Sequence, residues 1–138
     1  MALQIALLRR SLAAISLVFV LALAAKSALA QSEPISIFFD ARGSAVNESA
    51  LQIVAVVKDV LKPNVKLTIV GYCDTAEPDA MKLSYARALA VAKAFIDIGV
   101  PAGAQITITG KGATNLRKKT GPDVPEPVNR YTAITVSY

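Results

Sequence analysis

Residues 66 to 99 constrain the fold of this chain more than any other stretch. Lys66 to Val70 (KLTIV) is rich in strand formers, and the alternation continues to Tyr72. Leu67, Ile69 and Gly71 face one way, while Thr68, Val70 and Tyr72 face the other. From about Asp79 to Ile98 the apolar residues recur at helical spacing instead, and Gly99 followed by Pro101 ends the run. A strand that passes into a long amphipathic helix through a short connection carrying Pro78 must lay that helix on its own sheet.

The same switch of period occurs on both sides. Ile35 to Phe39 (ISIFF) reads as a strand ending in a turn at Asp40-Ala-Arg-Gly. Asn47 is placed to cap a helix in which Ala50, Leu51, Val54, Val57 and Leu61 share a face, with Glu48 in its first turn and Pro63-Asn64 at its end. Ile106 to Thr109 (ITIT) is a third strand. Lys111 to Pro127 is a long loop with two glycines and three prolines, and Tyr131 to Val136 (YTAITV) is the last strand. The order βαβαββ predicts an α/β (α+β) two-layer sandwich, with two main helices on a mixed four-stranded sheet. Ligands of such sheets sit beyond the carboxyl ends of the strands, which is where Asp40 and Asp74 follow the first and second strands.

Not all of the 138 residues belong to this unit. Residues 1 to 30 carry Arg9-Arg10, an apolar run from Ser11 to Ala25, and Ala28-Leu29-Ala30, a small-residue cleavage site. That is the pattern of a secretory signal peptide; an uncleaved anchor helix is the other reading, though the run is short for a span of ~20 residues. The division expected is therefore a leader over 1–30 and one domain over 31–138, exported to the periplasm, with no stable membrane span once the leader is cleaved. The net charge of +5 belongs largely to the leader, which holds Arg9, Arg10 and Lys26 and no acid. The remainder has no basic surface of the kind that binds nucleic acid.

The chain has no histidine and one cysteine, Cys73. Ser-His and Cys-His catalysis and the usual zinc sets are thereby excluded, and no internal disulfide can form. Cys73 reads as a small buried residue at a strand end, or as one half of a bridge to a partner. GKGAT at 110–114 departs from a phosphate-binding loop and reads as a strand-end turn. No cofactor, metal site or catalytic set is expected, and Arg117-Lys118-Lys119 reads as a solvated charge cluster.

One residue of the second helix is out of place. Advancing about 100° per residue from Lys82 puts Lys93 and Asp97 on one side, Val91, Phe95 and Ala88 on the other, and Arg87 at roughly 140°, leaning toward the apolar side. An inward guanidinium needs an acceptor. Asp74, at the end of the preceding strand, is the acid proposed for it. Either the two pair and brace the turn, or they stand apart and each takes one end of a zwitterion.

Gly71, Asp74 and Thr75, then Leu83, Ser84, Arg87, Ala88 and Val91, form a pattern that resembles the OmpA-like peptidoglycan-binding domain family. Phe38-Phe39-Asp40, Gly99-Val100, Ile106 to Gly110 with Gly112, and Asn129-Arg130 fit it in the same order, so the resemblance covers about residues 35 to 138. It implies the two-layer sandwich and a non-catalytic role in which peptidoglycan is held through the diaminopimelate of its stem peptide. On that resemblance Asp74 meets the α-ammonium and Arg87 the α-carboxylate, with Thr75, Asp40 and Arg130 lining the same edge. A guanidinium suits a carboxylate because its planar fork binds both oxygens. Other envelope proteins are the alternative partners, with the same scaffold serving as an interaction or structural module. The chain departs from the family at Tyr72-Cys73, where His-Thr is usual, at Ala80 and at Tyr131. The connection between Asp74 and Arg87 is shorter than is usual in the family, and the family's glycine after the aspartate is missing, with Glu77-Pro78 nearby.

Overall fold

The computed structural model describes residues 33–138. The leader expected over residues 1–30 lies outside them. Among the described residues no helix is long and apolar enough to cross a membrane.

The elements are β1 (Ile35–Phe38), α1 (Glu48–Val60), β2 (Lys66–Gly71), α2 (Ala80–Ile98), β3 (Gln105–Gly110), a single 3-10 turn (Pro127–Asn129) and β4 (Tyr131–Ser137). The strand order is β1-β4-β2-β3. β4 runs antiparallel to both β1 and β2, and β2 and β3 are parallel. β1 and β2 therefore point the same way, and the segments after them, with Asp40 and Asp74, emerge at one edge. Two helices on a mixed four-stranded sheet is the architecture that the alternating periods predict.

Local chemistry sets the element ends. Asn47 caps α1 by accepting from the Ala50 N–H at 2.9 Å, and Glu48 sits in the first turn beside the positive end of the helix dipole. α2 begins at Ala80 without a side-chain cap, because Asp79 turns the chain through the left-handed region at φ 49°. Gly99, at φ 87°, ends it.

The core lies between helices and sheet. Its central row crosses all four strands as Ile35, Ile134, Ile69 and Ile108, which the register places side by side. Val54 and Val57 of α1 and Ala88, Val91 and Phe95 of α2 pack into the same cluster. Burial of each large side chain there contributes roughly 1.5–3 kcal/mol.

Toward the site edge the inward side chains shrink, the corresponding row being Ile37, Thr132, Gly71 and Gly110. A Cβ on Gly71 would stand 1.8 Å from the Ser84 carbonyl oxygen, and one on Gly110 would stand 2.5 Å from the Tyr85 nitrogen. The paired glycines let the first turns of α2 rest directly on the sheet. The Ser84 hydroxyl, donating to the Met81 carbonyl, accepts from the Gly112 N–H at 2.9 Å and ties the end of β3 to the helix.

The outer face of the sheet is partly covered by the long loop. Phe38 and Tyr131 point away from the helices; Tyr72 stacks on Tyr131 at 4.6 Å between centroids, and the Arg117 guanidinium lies 4.2 Å from the Tyr131 centroid. Asn129, fully buried, holds Lys118 through both its N–H and C=O. Lys118 pairs with Glu126 at 2.6 Å, so the basic triplet is partly engaged within the loop.

Candidate functional site

The seat of α2 on Gly71 and Gly110 brings Arg87 to the point where the chain leaves β2. Arg87 is wholly buried. Its Nε donates to the Gly43 carbonyl at 2.8 Å, Nη1 to the Tyr72 carbonyl at 3.0 Å, and Nη2 to the Asp40 carbonyl at 3.1 Å. The two remaining N–H bonds form a fork on one carboxylate: Nη1 donates to Glu77 Oε2 at 2.8 Å and Nη2 to Glu77 Oε1 at 2.6 Å. Such bidentate charged pairs are among the strongest side-chain hydrogen bonds.

Sequence spacing points to Asp74 as the acceptor of this arginine; the acceptor in the fold is Glu77. The reason lies in the connection. Residues 75–79 turn back so that the Glu77 carboxylate also accepts from the backbone N–H of Asp74 at 3.1 Å and of Arg42 at 2.8 Å. Burial pushes the Glu77 carboxyl up, but its bonds from Arg87 and from the two backbone N–H groups outweigh this and hold it below the ordinary 4.5.

Asp74 is equally buried and has a different cation. Its Oδ2 accepts from Arg130 Nη1 at 3.0 Å and from the Glu126 N–H at 3.0 Å, and its Oδ1 accepts from the Ala76 N–H at 3.0 Å. Arg130 also donates through Nε to the Phe39 carbonyl at 3.2 Å. The two charged pairs, Glu77 with Arg87 and Asp74 with Arg130, stand side by side at the sheet edge.

In front of them opens a cleft of about 320 Å³ lined by Ala41, Arg42, Asp74, Ala76, Glu77, Pro125 and Arg130. Of the five residues singled out from the sequence, Asp74 and Arg130 form its wall. Arg87 is absent from the lining and bonded to Glu77, which lines the cleft. Thr75 donates its hydroxyl to the Gly121 carbonyl at 2.7 Å and accepts from the Val124 N–H at 3.1 Å, so it fastens the long loop. Asp40 contributes its carbonyl to Arg87, while the residue itself is exposed.

Two cleft residues escaped the sequence reading, Glu77 and Arg42. A signal for the first was present: Glu77 lies nearer to Arg87 in sequence than Asp74 does, and a glutamate before Pro78 in so short a connection has few directions to take. Arg42 carries no periodic signal, since it lies in a turn. Cys73, buried behind the site, has its thiol pushed up to about 12, chiefly by burial, which disfavours the nucleophilic thiolate at neutral pH.

Among solved structures, the C-terminal domain of Helicobacter pylori MotB superposes with a TM-score of 0.64 at 20% identity, covering 78% of this chain and 87% of that one. The peptidoglycan-associated lipoprotein from Burkholderia pseudomallei gives 0.65 at 21% identity, covering 74% and 89%. The OmpA-like domain of FopA1 from Francisella tularensis subsp. tularensis SCHU S4 gives 0.57 at 20% identity, covering 75% and 71%. No curated protein matches the chain. Residues 38–130, from the end of β1 to the arginine that holds Asp74, match the OmpA family as a whole, and the chain belongs to that family.

Proposed function

We propose that this chain is a non-catalytic, exported module of the cell envelope that binds peptidoglycan in the periplasm through the diaminopimelate of its stem peptide. The observation that carries the reading is the charged cleft at the carboxyl edge of β1 and β2. An aspartate and an arginine wall it, and its volume of about 320 Å³ suits one zwitterionic head group. Membership of the OmpA family, and a structural relative named as a peptidoglycan-associated lipoprotein, support the choice of ligand. Asp74 lines the cleft although its side chain is only 1% exposed, and its Oδ1, which accepts from Ala76 alone, keeps acceptor capacity for an ammonium. Arg130 keeps guanidinium donors for a carboxylate beyond those used on Asp74 and Phe39. Asp40 and Thr75 belong to the same edge, Asp40 anchored through its carbonyl on Arg87 and Thr75 through its hydroxyl on the long loop. Arg87 stands directly behind Glu77.

Arg87, the carboxylate ligand that the family resemblance implies, is fully engaged by the fold, so the charged edge also serves as a brace for an interaction or structural module. Sedimentation with insoluble peptidoglycan separates the two. The wall-binding reading expects the protein in the pellet and the Asp74→Ala variant, still folded by circular dichroism, in the supernatant. Protein that stays in the supernatant, and gives no calorimetric signal with a diaminopimelate-containing muropeptide, leaves the module reading in its place.

A further inference from the structure

We propose that Arg42, rather than Arg87, is the residue that takes the ligand carboxylate in this cleft, an inference that rests on the wall-binding reading. A guanidinium has five N–H donors. Those of Arg87 meet five oxygens: the carbonyls of Gly43, Tyr72 and Asp40 and both oxygens of Glu77. No donor remains for a guest, and no part of the side chain is exposed. A guest carboxylate would reach it only by evicting Glu77. That would also strip the backbone N–H groups of Arg42 and Asp74 of their acceptor. Glu77 occupies, from within the chain, the place that a ligand carboxylate would take on Arg87.

Arg42 is in the opposite condition. It lines the same cleft, is exposed, and among the described residues its side chain has no ion pair or hydrogen bond. Its backbone is in the left-handed region at φ 59°, inside the turn closed by the Gly43 N–H on the Asp40 carbonyl at 3.1 Å. A non-glycine residue is disfavoured there. The Arg42 N–H is held in that turn by Glu77 Oε1 at 2.8 Å. One glutamate thus closes Arg87 to solvent and fixes the backbone of the arginine at the mouth. Arg42 also borders a second hollow of about 260 Å³, with Asp79, Lys82 and Leu83, which offers room for a peptide beyond the head group. The ligand is a zwitterionic amino acid of a stem peptide, its ammonium on Asp74 and its carboxylate on the free fork of Arg42 with Arg130 alongside.

The test is calorimetric titration of the full protein with a soluble diaminopimelate-containing muropeptide, using wild type, Arg42→Ala, Arg42→Lys and Glu77→Gln. Arg42→Ala is expected to weaken binding about tenfold or more without changing the melting temperature, and Arg42→Lys to restore part of the loss. Glu77→Gln is expected not to tighten binding. Equal affinity of wild type and Arg42→Ala overturns the assignment while leaving wall binding intact. Tighter binding by Glu77→Gln also overturns it, because Arg87 is then the carboxylate ligand and Glu77 its competitor. If Glu77→Gln does not fold, the Arg42 pair decides alone, since that side chain is exposed. Absence of binding by the wild type, to the muropeptide and to the insoluble wall, removes both readings together.

Discussion

Replacing Glu77 by alanine should remove much of the stability of the domain, although the residue belongs to neither helix nor strand. The substitution leaves the Arg87 guanidinium buried with three carbonyl partners and no counter-charge. Breaking a buried ion pair from one side costs ~3–5 kcal/mol. The Asp74 N–H, also buried, loses its acceptor, for roughly 1–3 kcal/mol more, partly recovered if water enters the space left by the side chain. A net loss of about 4 kcal/mol is a large share of the 5–15 kcal/mol that holds a typical domain. At ~4–8 °C per kcal/mol for a domain of this size, the melting temperature should fall by roughly 15–30 °C. The assay is thermal and urea unfolding followed by circular dichroism, on Glu77→Ala, Arg87→Met and the double variant. The double variant should be less destabilised than the sum of the singles, because the orphaned charge is then absent. The folded-state carboxyl of Glu77 lies below its unfolded value, so its contribution is present above pH 4.5 and is lost as pH falls through the lower, folded value. Wild-type stability should therefore decline below pH 4.5 more steeply than that of Glu77→Ala. A single-variant loss under about 1 kcal/mol, or strict additivity in the double variant, would show that Glu77 does not neutralise a desolvated arginine.

Two further outcomes rest on separate contacts. Gly71→Ala should destabilise the fold by about 2 kcal/mol or more, read from the urea midpoint, since the new Cβ meets backbone of α2 at 1.8 Å rather than a movable side chain; a midpoint unchanged from wild type contradicts the close seat of the helix. Cys73, buried and with its thiol pushed up to about 12, should resist an aromatic disulfide reagent at pH 8 in the native protein and react at once in denaturant, whereas rapid native labelling would mean that the site edge opens.

The elements of this fold were legible because their signals are local. KLTIV and ITIT carry their own alternation, Asn47 its own cap, and Gly99 its own stop, and the strands and helices lie within a residue or two of where those signals put them. The inward lean of Arg87 was legible for the same reason, as a matter of helical angle. Its partner was not. Whether Asp74 or Glu77 reaches the guanidinium depends on how residues 75–79 turn, and that turn depends on Asp79 adopting φ 49° and on Thr75 being tied to the loop around Gly121 and Val124. Those contacts join segments some 45 residues apart, which no periodicity records. The role of Asn129, holding both sides of the Lys118 peptide, is hidden in the same way.

A binding site made from a buried arginine faces a conflict that this chain resolves in one direction. An arginine kept open for a guest carboxylate must remain without a counter-charge whenever the guest is absent, and in a buried position that weighs on the folded state. Here a glutamate ten residues away closes the fork. Even a flexible tether of that length presents its carboxylate at an effective concentration in the millimolar range, and a carboxylate held by two further backbone N–H groups competes more strongly still. A guest offering the same functional group has no chemical advantage over Glu77, so the proposal expects no displacement at micromolar concentration. The scaffold gains a fully satisfied ion pair, and on the proposed reading a guest anion meets the cations that remain solvated at the same edge. Arg42 is the one among them whose backbone that same glutamate holds in place.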